Sequence, residues 1–182
     1  KRYSDIFDLE IPLKPNNEKL GSGSTTHISI IDSKGNAVSA TTTNGEGCGY
    51  ILPGTGIMMN NMLGEEDLNL DGFHNWETTK RMETMMSPTI VIGELGPELV
   101  LGSGGSNRIR SAITQVILNK FTKNMSLEEA IQAPRIHLEE NIIHCESGIN
   151  TEILRFPWST INDWNEKNLF FGGVNAVTPT NA

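Results

Sequence analysis

The chain has 182 residues, 37% hydrophobic and 20% charged, a balance that suits one globular core and lies far from disordered compositions. Its formal net charge of -8 comes without any Lys/Arg cluster that could neutralise a run of phosphates, which excludes a nucleic-acid surface and favours a small-molecule or peptide partner. No apolar run approaches the roughly 18 residues that crossing a bilayer takes, so no membrane span is expected.

From Lys1 to Ser24 the chain is polar and irregular, with Pro12 and Pro15 leading to the small-residue run Gly21-Ser22-Gly23-Ser24. This reads as an exposed linker with a flexible tip, the kind of place where chains are cut. Because it opens on Lys1 with no leader-like apolar segment, the chain is expected to be a piece of a longer precursor. The texture then changes. His27 to Asp32 and Asn36 to Thr43 are β-branched runs joined by a Ser33-Lys34-Gly35 turn, which predicts an antiparallel hairpin beginning at Thr25. Short strands are further expected at Gly56 to Met59, Thr89 to Ile92 and Leu99 to Leu101. Ile109, Ala112, Ile113, Val116 and Ile117 share one face at helical spacing and predict a helix packed on a sheet. Ser126-Leu127-Glu128-Glu129 carries the capping-box pattern of a second helix. Arg135 to Leu138 and Ile142 to Cys145 read as strands, and Leu169 to Val174 as one more. Strands in consecutive blocks with helices between the blocks predict a layered α+β domain of antiparallel sheet, not a doubly wound parallel one.

Several positions could carry chemistry. Thr25-Thr26-His27 stands where a Gly/Ser linker meets a strand. A threonine hydroxyl holds its proton too tightly to attack at neutral pH unless a base adjoins it. An N-terminal threonine supplies its own base, since an α-amine with an ordinary pKa near 7.7–8.0 is partly neutral at pH 7. Scission between Ser24 and Thr25 would create that amine. The same pair also serves simply to open a strand, where β-branched residues are common. Gly102-Ser103-Gly104-Gly105-Ser106 lies between a strand and a helix, where backbone amides can face an oxyanion, although such runs also do nothing but turn. It lacks the GxxxxGK[ST] pattern of a triphosphate site. The segment from Pro53 to Asp67 ends in Asn60-Asn61 and the carboxylates Glu65, Glu66 and Asp67, which suit an ammonium group or a solvated loop. His27, His74, His137 and His144 have no zinc spacing, and Cys48 and Cys145 form no CxxC pair, so neither a metal nor a cofactor is expected. The methionines read as core filler, and Trp76, Trp158 and Trp164 as too scattered for an aromatic platform.

Taken in order and at their intervals, TTHISIIDSKGNAVSATTTNGEG, PGTGIMMNNMLGEEDLN, MMSPTIVI, LGSGGSNRIRSAI and APRIH resemble the small subunit of the γ-glutamyltransferase family of N-terminal nucleophile hydrolases. These blocks cover most of Thr25 to His137. The resemblance implies an αββα four-layer sandwich, with residues 1–24 ending the large-subunit region and residues 25–182 forming the small-subunit catalytic region. It implies a precursor that cuts itself before Thr25 and then transfers a γ-glutamyl group from glutathione, or a similar amide, to water or an amino acid. Thr25 would be the nucleophile. Thr43 would stand beside it, with Thr41 and Asn44 as neighbouring claimants, and the backbone of Gly104, Gly105 and Ser106 would hold the oxyanion. Glu65 falls in the column of a carboxylate that binds the substrate's α-ammonium group. Where relatives place a Ser-Ser pair for the α-carboxylate, this chain has Glu83-Thr84, which leaves room for another acyl group. The resemblance implies the large subunit as partner and a periplasmic or secreted location. An acylase, a poly-γ-glutamate transferase and a non-catalytic relative are the alternatives.

Overall fold

A computed structural model describes residues 25–69, 71–154 and 156–179. The linker assigned to residues 1–24, with Ser24 of the expected cleavage site, lies outside the described residues.

The expected hairpin forms: β1 (Thr25–Ile31) pairs antiparallel with β2 (Ala37–Thr43), in a register that sets Thr25 opposite Thr43 and Ile31 opposite Ala37. Its turn is closed by the Asp32 carboxylate, which accepts from the backbone N–H groups of Lys34 at 2.8 Å and Asn36 at 2.9 Å. A second sheet has the order β3-β4-β8, all antiparallel, from β3 (Thr89–Gly93), β4 (Gly96–Gly104) and β8 (Gly173–Val177). The hairpin lies across it, with β1 touching β4 and β8 while β2 touches β4 and β3.

On the opposite face, where Ala112 lies against Gly172, α1 (Arg108–Phe121) presents Ile109, Ile113 and Val116 to Leu99 and Leu101 of β4. These side chains are almost fully shielded, and each contributes roughly 1.5–3 kcal/mol by leaving water. The short α2 (Leu127–Gln132) follows, and its capping box is present: Glu129 N–H donates to Ser126 Oγ while Ser126 N–H donates to Glu129 Oε2.

Alternation along β4 divides its work. Leu99 and Leu101 face the helix, whereas Gly102 and Gly104 face the hairpin, with the ring of His27 over Gly102 and Thr25 over Gly104. Near Gly102 and Gly104 the surface between the sheets is close-packed and hydrogen-bonded, with Ser39 Oγ donating to Leu101 O at 3.1 Å and Ser29 Oγ donating to Asn175 O at 3.3 Å, while buried Val100 adds an apolar contact further along β4. The described residues supply three of the four expected layers, helix, sheet and sheet. The outer face of the hairpin lies open, with Ile28 53% and Ile30 50% exposed.

Three expectations need correction. Gly56 to Met59 is not a strand but one side of an exposed loop closed by a single Ile51–Met58 bridge. The two arms exchange backbone bonds from Leu52 N–H to Ile57 O at 2.8 Å and Met59 N–H to Tyr50 O at 2.9 Å, but Gly49, Gly54 and Gly56, all with positive φ, bend the chain before a regular ladder extends. Leu169 to Val174 is not one strand: Asn168 caps a 3₁₀ turn at Leu169–Phe171, and Gly172 at φ 80° redirects the chain into β8. Finally, the third sheet, β5 (Ile136–Glu139), β6 (Ile142–Cys145) and β7 (Thr160–Asp163), is mixed, because β7 runs parallel to β6. A long connection through a 3₁₀ turn at Thr151–Ile153 makes that crossover possible.

Candidate active site

The hairpin register places two threonine hydroxyls together: Thr25 Oγ lies 2.9 Å from Thr43 Oγ across the open end of β1 and β2. Thr43 Oγ also accepts the backbone N–H of Gly45 at 3.0 Å. With one lone pair so engaged, the Thr43 hydroxyl can turn its proton to Thr25 and leave the Thr25 proton directed elsewhere. Of the three claimants, Thr43 is the one against Thr25. Thr41 Oγ is bonded to His27 Nδ1 at 2.8 Å, between the sheets. Asn44 is exposed and outside the cleft lining, its carbonyl accepting Asn61 N–H at 2.8 Å.

These hydroxyls open on a cleft of ≈ 930 Å³. Its floor is the turn from β4 into α1. Arg108 N–H bonds Gly105 O and Ile109 N–H bonds Ser106 O, so the amides of residues 104 to 107 precede the helix's own ladder, where they can address a negative oxygen. Gly104 is necessary in this place: a Cβ there would stand 3.2 Å from Thr25 O and 3.4 Å from Thr25 Cβ. Gly105, at φ 124°, backs onto Gly172, whose Cα would lie 3.0 Å from any Cβ added to it. Ser106, itself at φ 51°, donates its hydroxyl to Asp67 Oδ2 at 2.9 Å.

One wall comes from the loops after β2. Glu46, Asn61 and Glu65 line it, and Glu65 packs so close to Gly45 that a Cβ there would meet its Oε1 at 2.7 Å. Burial pushes the Glu65 carboxyl above its usual range, and the neighbouring charges of Asp67 and Glu46 push it the same way. A cluster of like charges at a cleft wall favours a cationic group as neighbour. Thr84 and Met85 also line the cleft, whereas Glu83 lines a smaller adjoining cavity of ≈ 340 Å³. With Met86 beside them, this segment gives the cleft a hydroxyl and two thioethers, and the carboxylate of Glu83 stands aside.

The sequence did not disclose the opposite wall, formed by Trp164, Asn168, Leu169 and Phe170. Trp164 stacks here on Phe170 with ring centroids 4.9 Å apart, a platform made with phenylalanine and not with the other tryptophans. His27 belongs to the same surroundings, lining the cleft beside Thr25. Its Nδ1 and Nε2 are both engaged, by Thr41 and by Ser29 at 2.9 Å, and burial lowers its pKa, which keeps the ring neutral between the sheets. Its TTH position, two residues along the same strand face as Thr25, was the available signal. Among the described residues no group of three or more His, Cys, Asp or Glu could hold a metal ion.

A sequence model of the family described as Gamma-glutamyltranspeptidase matches residues 6–182. The chain belongs to that family. The glutathione hydrolase proenzyme of Bacillus subtilis (strain 168) is 34% identical over 135 residues, 72% of this chain and 23% of that protein. The Acylase ACY 1 proenzyme of Pseudomonas sp. (strain SE83) is 36% identical over 158 residues, 86% of this chain and 28% of that protein. The chain thus spans about a quarter of the length of these relatives. Among solved structures, a gamma-glutamyltranspeptidase from Pseudomonas nitroreducens complexed with L-DON superposes with a TM-score of 0.70 at 29% identity, covering 85% of this chain and 89% of that one. The chain is therefore the small-subunit region of a gamma-glutamyltranspeptidase-type protein, with the α+β fold of the N-terminal nucleophile hydrolases. The match extends to residue 182, well past the blocks ending at His137 that carry the resemblance in the sequence.

Proposed function

We propose that, after scission of the bond between Ser24 and Thr25, this chain works with the large subunit of the same precursor as a γ-glutamyltransferase and hydrolase with Thr25 as nucleophile. The observation that carries the reading is the 2.9 Å pairing of the Thr25 and Thr43 hydroxyls beside the Gly104–Ser106 turn, in a cleft of ≈ 930 Å³. Thr25 Oγ attacks the amide carbonyl of the donor and passes its proton to the α-amine that scission has freed. Thr43 donates to Thr25 Oγ, fixing the lone pair that attacks. The amides of Gly104, Gly105 and Ser106 take the oxyanion, a contact whose loss typically costs about 2.7–4 kcal/mol per donor. The carbon–nitrogen bond then breaks, the proton goes to the leaving amine, and an acyl ester on Thr25 remains. Water or an amino acid attacks that ester and restores the hydroxyl.

Glu65, backed by Glu46, would bind the donor's ammonium group. Thr84, also in the cleft lining, would supply a hydroxyl, and glutathione or another γ-glutamyl amide fits such a combination of cation-seeking carboxylates with a hydroxyl. A second reading, an acylase for a less polar acyl group, is favoured by Met85, which puts a thioether where an acyl chain would run. Asn44 remains a candidate substrate contact only through the loop it anchors.

The precursor, expressed whole and incubated while folded, is expected to yield a new N-terminus at Thr25 by mass spectrometry. It should then release p-nitroaniline from a γ-glutamyl anilide. A folded precursor that stays intact, or one whose turnover survives Thr25→Ala, overturns this mechanism and leaves the non-catalytic alternative. A panel of anilides with other acyl groups separates the two readings.

A further inference from the structure

The two walls of the cleft lie on opposite sides of Thr25, and the topology fixes which is which. β2 runs over β3, so the loops after it bring Glu46 and Glu65 to that side, where Asp67 also takes the Ser106 hydroxyl. β1 runs over β8, and the residues leading into β8 bring Trp164, Leu169 and Phe170 to the other side. An amide lying across Thr25 therefore has one half against carboxylates and the other against an apolar ledge. We propose that this ledge of Trp164, Leu169 and Phe170 is the subsite for the amine half of the substrate, taking a leaving or accepting amine with an aromatic or branched aliphatic side chain. The assignment rests on the acyl-transfer reading above. The ammonium-bearing acyl half belongs with the carboxylates, which leaves the ledge to the amine.

The ledge is built rather than incidental. Phe170 is fixed by its backbone and its ring: its carbonyl accepts from Arg108 Nε at 3.1 Å, and the Arg108 guanidinium lies 4.8 Å from the ring centroid. Trp164 stacks on Phe170 and donates its Nε1–H to His144 Nδ1 at 3.3 Å, while Phe171, fully buried, anchors the turn from below. Leu169 nevertheless projects from this rigid base with 83% of its surface exposed. A preformed apolar surface costs little ordering when a ligand arrives. Each Å² of apolar area it covers contributes roughly 25 cal/mol. In transfer, the neutral amine nitrogen attacks the ester carbonyl, the bond to Thr25 Oγ breaks, and the nitrogen's proton returns to that oxygen; a side chain on the amine would lie on the ledge throughout.

The test uses the processed two-subunit enzyme acylated by a γ-glutamyl anilide, with L-phenylalanine and glycine competing for the same acyl-enzyme. The expected product ratio favours phenylalanine by about tenfold or more, the discrimination an apolar pocket gives. Leu169→Asn, on an exposed side chain, should cut the ratio severalfold, and Trp164→Ala should bring it close to parity. A ratio near one in the unaltered enzyme, or one unmoved by both substitutions, overturns the assignment. If no anilide is released at all, the acyl-transfer reading fails by itself. Equilibrium binding of L-phenylalaninamide against glycinamide then decides the ledge: tighter binding of the former, lost in Trp164→Ala, supports it, and equal binding rejects it.

Discussion

Gly104→Ala tests the closest approach in the site. The added methyl would sit 3.2 Å from Thr25 O, 3.4 Å from Thr25 Cβ and 3.7 Å from Thr25 Cγ2. The first of these is tighter than comfortable van der Waals contact, so β1 must give by a few tenths of an ångström at Thr25. Overpacking of this kind typically costs about 1–3 kcal/mol of stability. A misplacement of about 1 Å costs about a hundredfold in rate, so a few tenths should lower kcat by roughly three- to tenfold. Because the binding walls are built from other segments, KM should stay within about twofold. Steady-state kinetics with a γ-glutamyl anilide on the processed enzyme, beside a thermal melt, reads both effects. If kcat is unchanged while the protein remains folded and processed, Thr25 does not work from the position it occupies against β4, and the reasoning fails.

Thr43→Val keeps the shape of the side chain but removes the hydroxyl that meets Thr25 at 2.9 Å. Acylation measured by pre-steady-state anilide release should slow by about 10²-fold, the scale seen when one such preorganised donor is lost; an undiminished burst would show that Thr43 is a bystander. For Glu65 the sign follows from its raised pKa: the folded state favours the protonated carboxyl, so this group's stabilising contribution is present below its ordinary range and is lost as pH rises through the folded value. Glu65→Gln should therefore raise the melting temperature at neutral pH, with the gain vanishing under acid conditions, while raising KM for a γ-glutamyl donor. A melting temperature lowered at neutral pH would contradict the assigned repulsion with Asp67 and Glu46. On the open face of the hairpin, Ile30→Lys should leave the helix-packed core intact yet weaken association with the large subunit, read by co-purification of the two subunits. Undiminished co-purification would mean that this face is not the contact.

What the sequence disclosed, it disclosed through local physics. The hairpin was legible because β-branched runs flank a turn whose Asp32 carboxylate and Gly35 close it locally. Likewise α1 announced itself by the spacing of Ile109, Ala112, Ile113 and Val116, and α2 by the reciprocal bonds of Ser126 and Glu129. Thr25 and Thr43 could be paired only through family resemblance, yet once the turn fixes the register they are opposite by count. The features that stayed hidden depend on distant segments. β7 is short and polar, and its parallel partner lies across a long connection. The ledge of Trp164 and Phe170 reaches the cleft only because Gly172 turns the chain into β8 beside β4. Nor could the sequence tell that Thr84 and Met85, rather than Glu83, line the cleft, since that depends on where an irregular segment without periodicity turns its side chains.

The hairpin carries its polarity inside out, and this ties fold to function. Its inner face bears Thr25, His27, Ser29, Ser39, Thr41 and Thr43, with Ile31 and Ala37 only at the turn end, while the outer bears Ile28, Ile30 and Val38 beside Thr26 and Thr42. In an ordinary sandwich the apolar face would turn inward to form the core between sheets. Here the inward face holds Thr25, its hydroxyl partner Thr43 and a neutral imidazole, so the space between sheets around them is held by hydrogen bonds, with Gly102 and Gly104 giving the close approach that these polar side chains need. The apolar stabilisation forgone there is displaced to the two outer faces. One of these, the helix face of β4, is covered within the chain by α1. The other is left half exposed at Ile28, Ile30 and Val38, and full burial of such side chains is worth roughly 1.5–3 kcal/mol each. A catalytic hairpin of this design is stabilised most by a layer laid over its back, which is the place we assign to the large subunit.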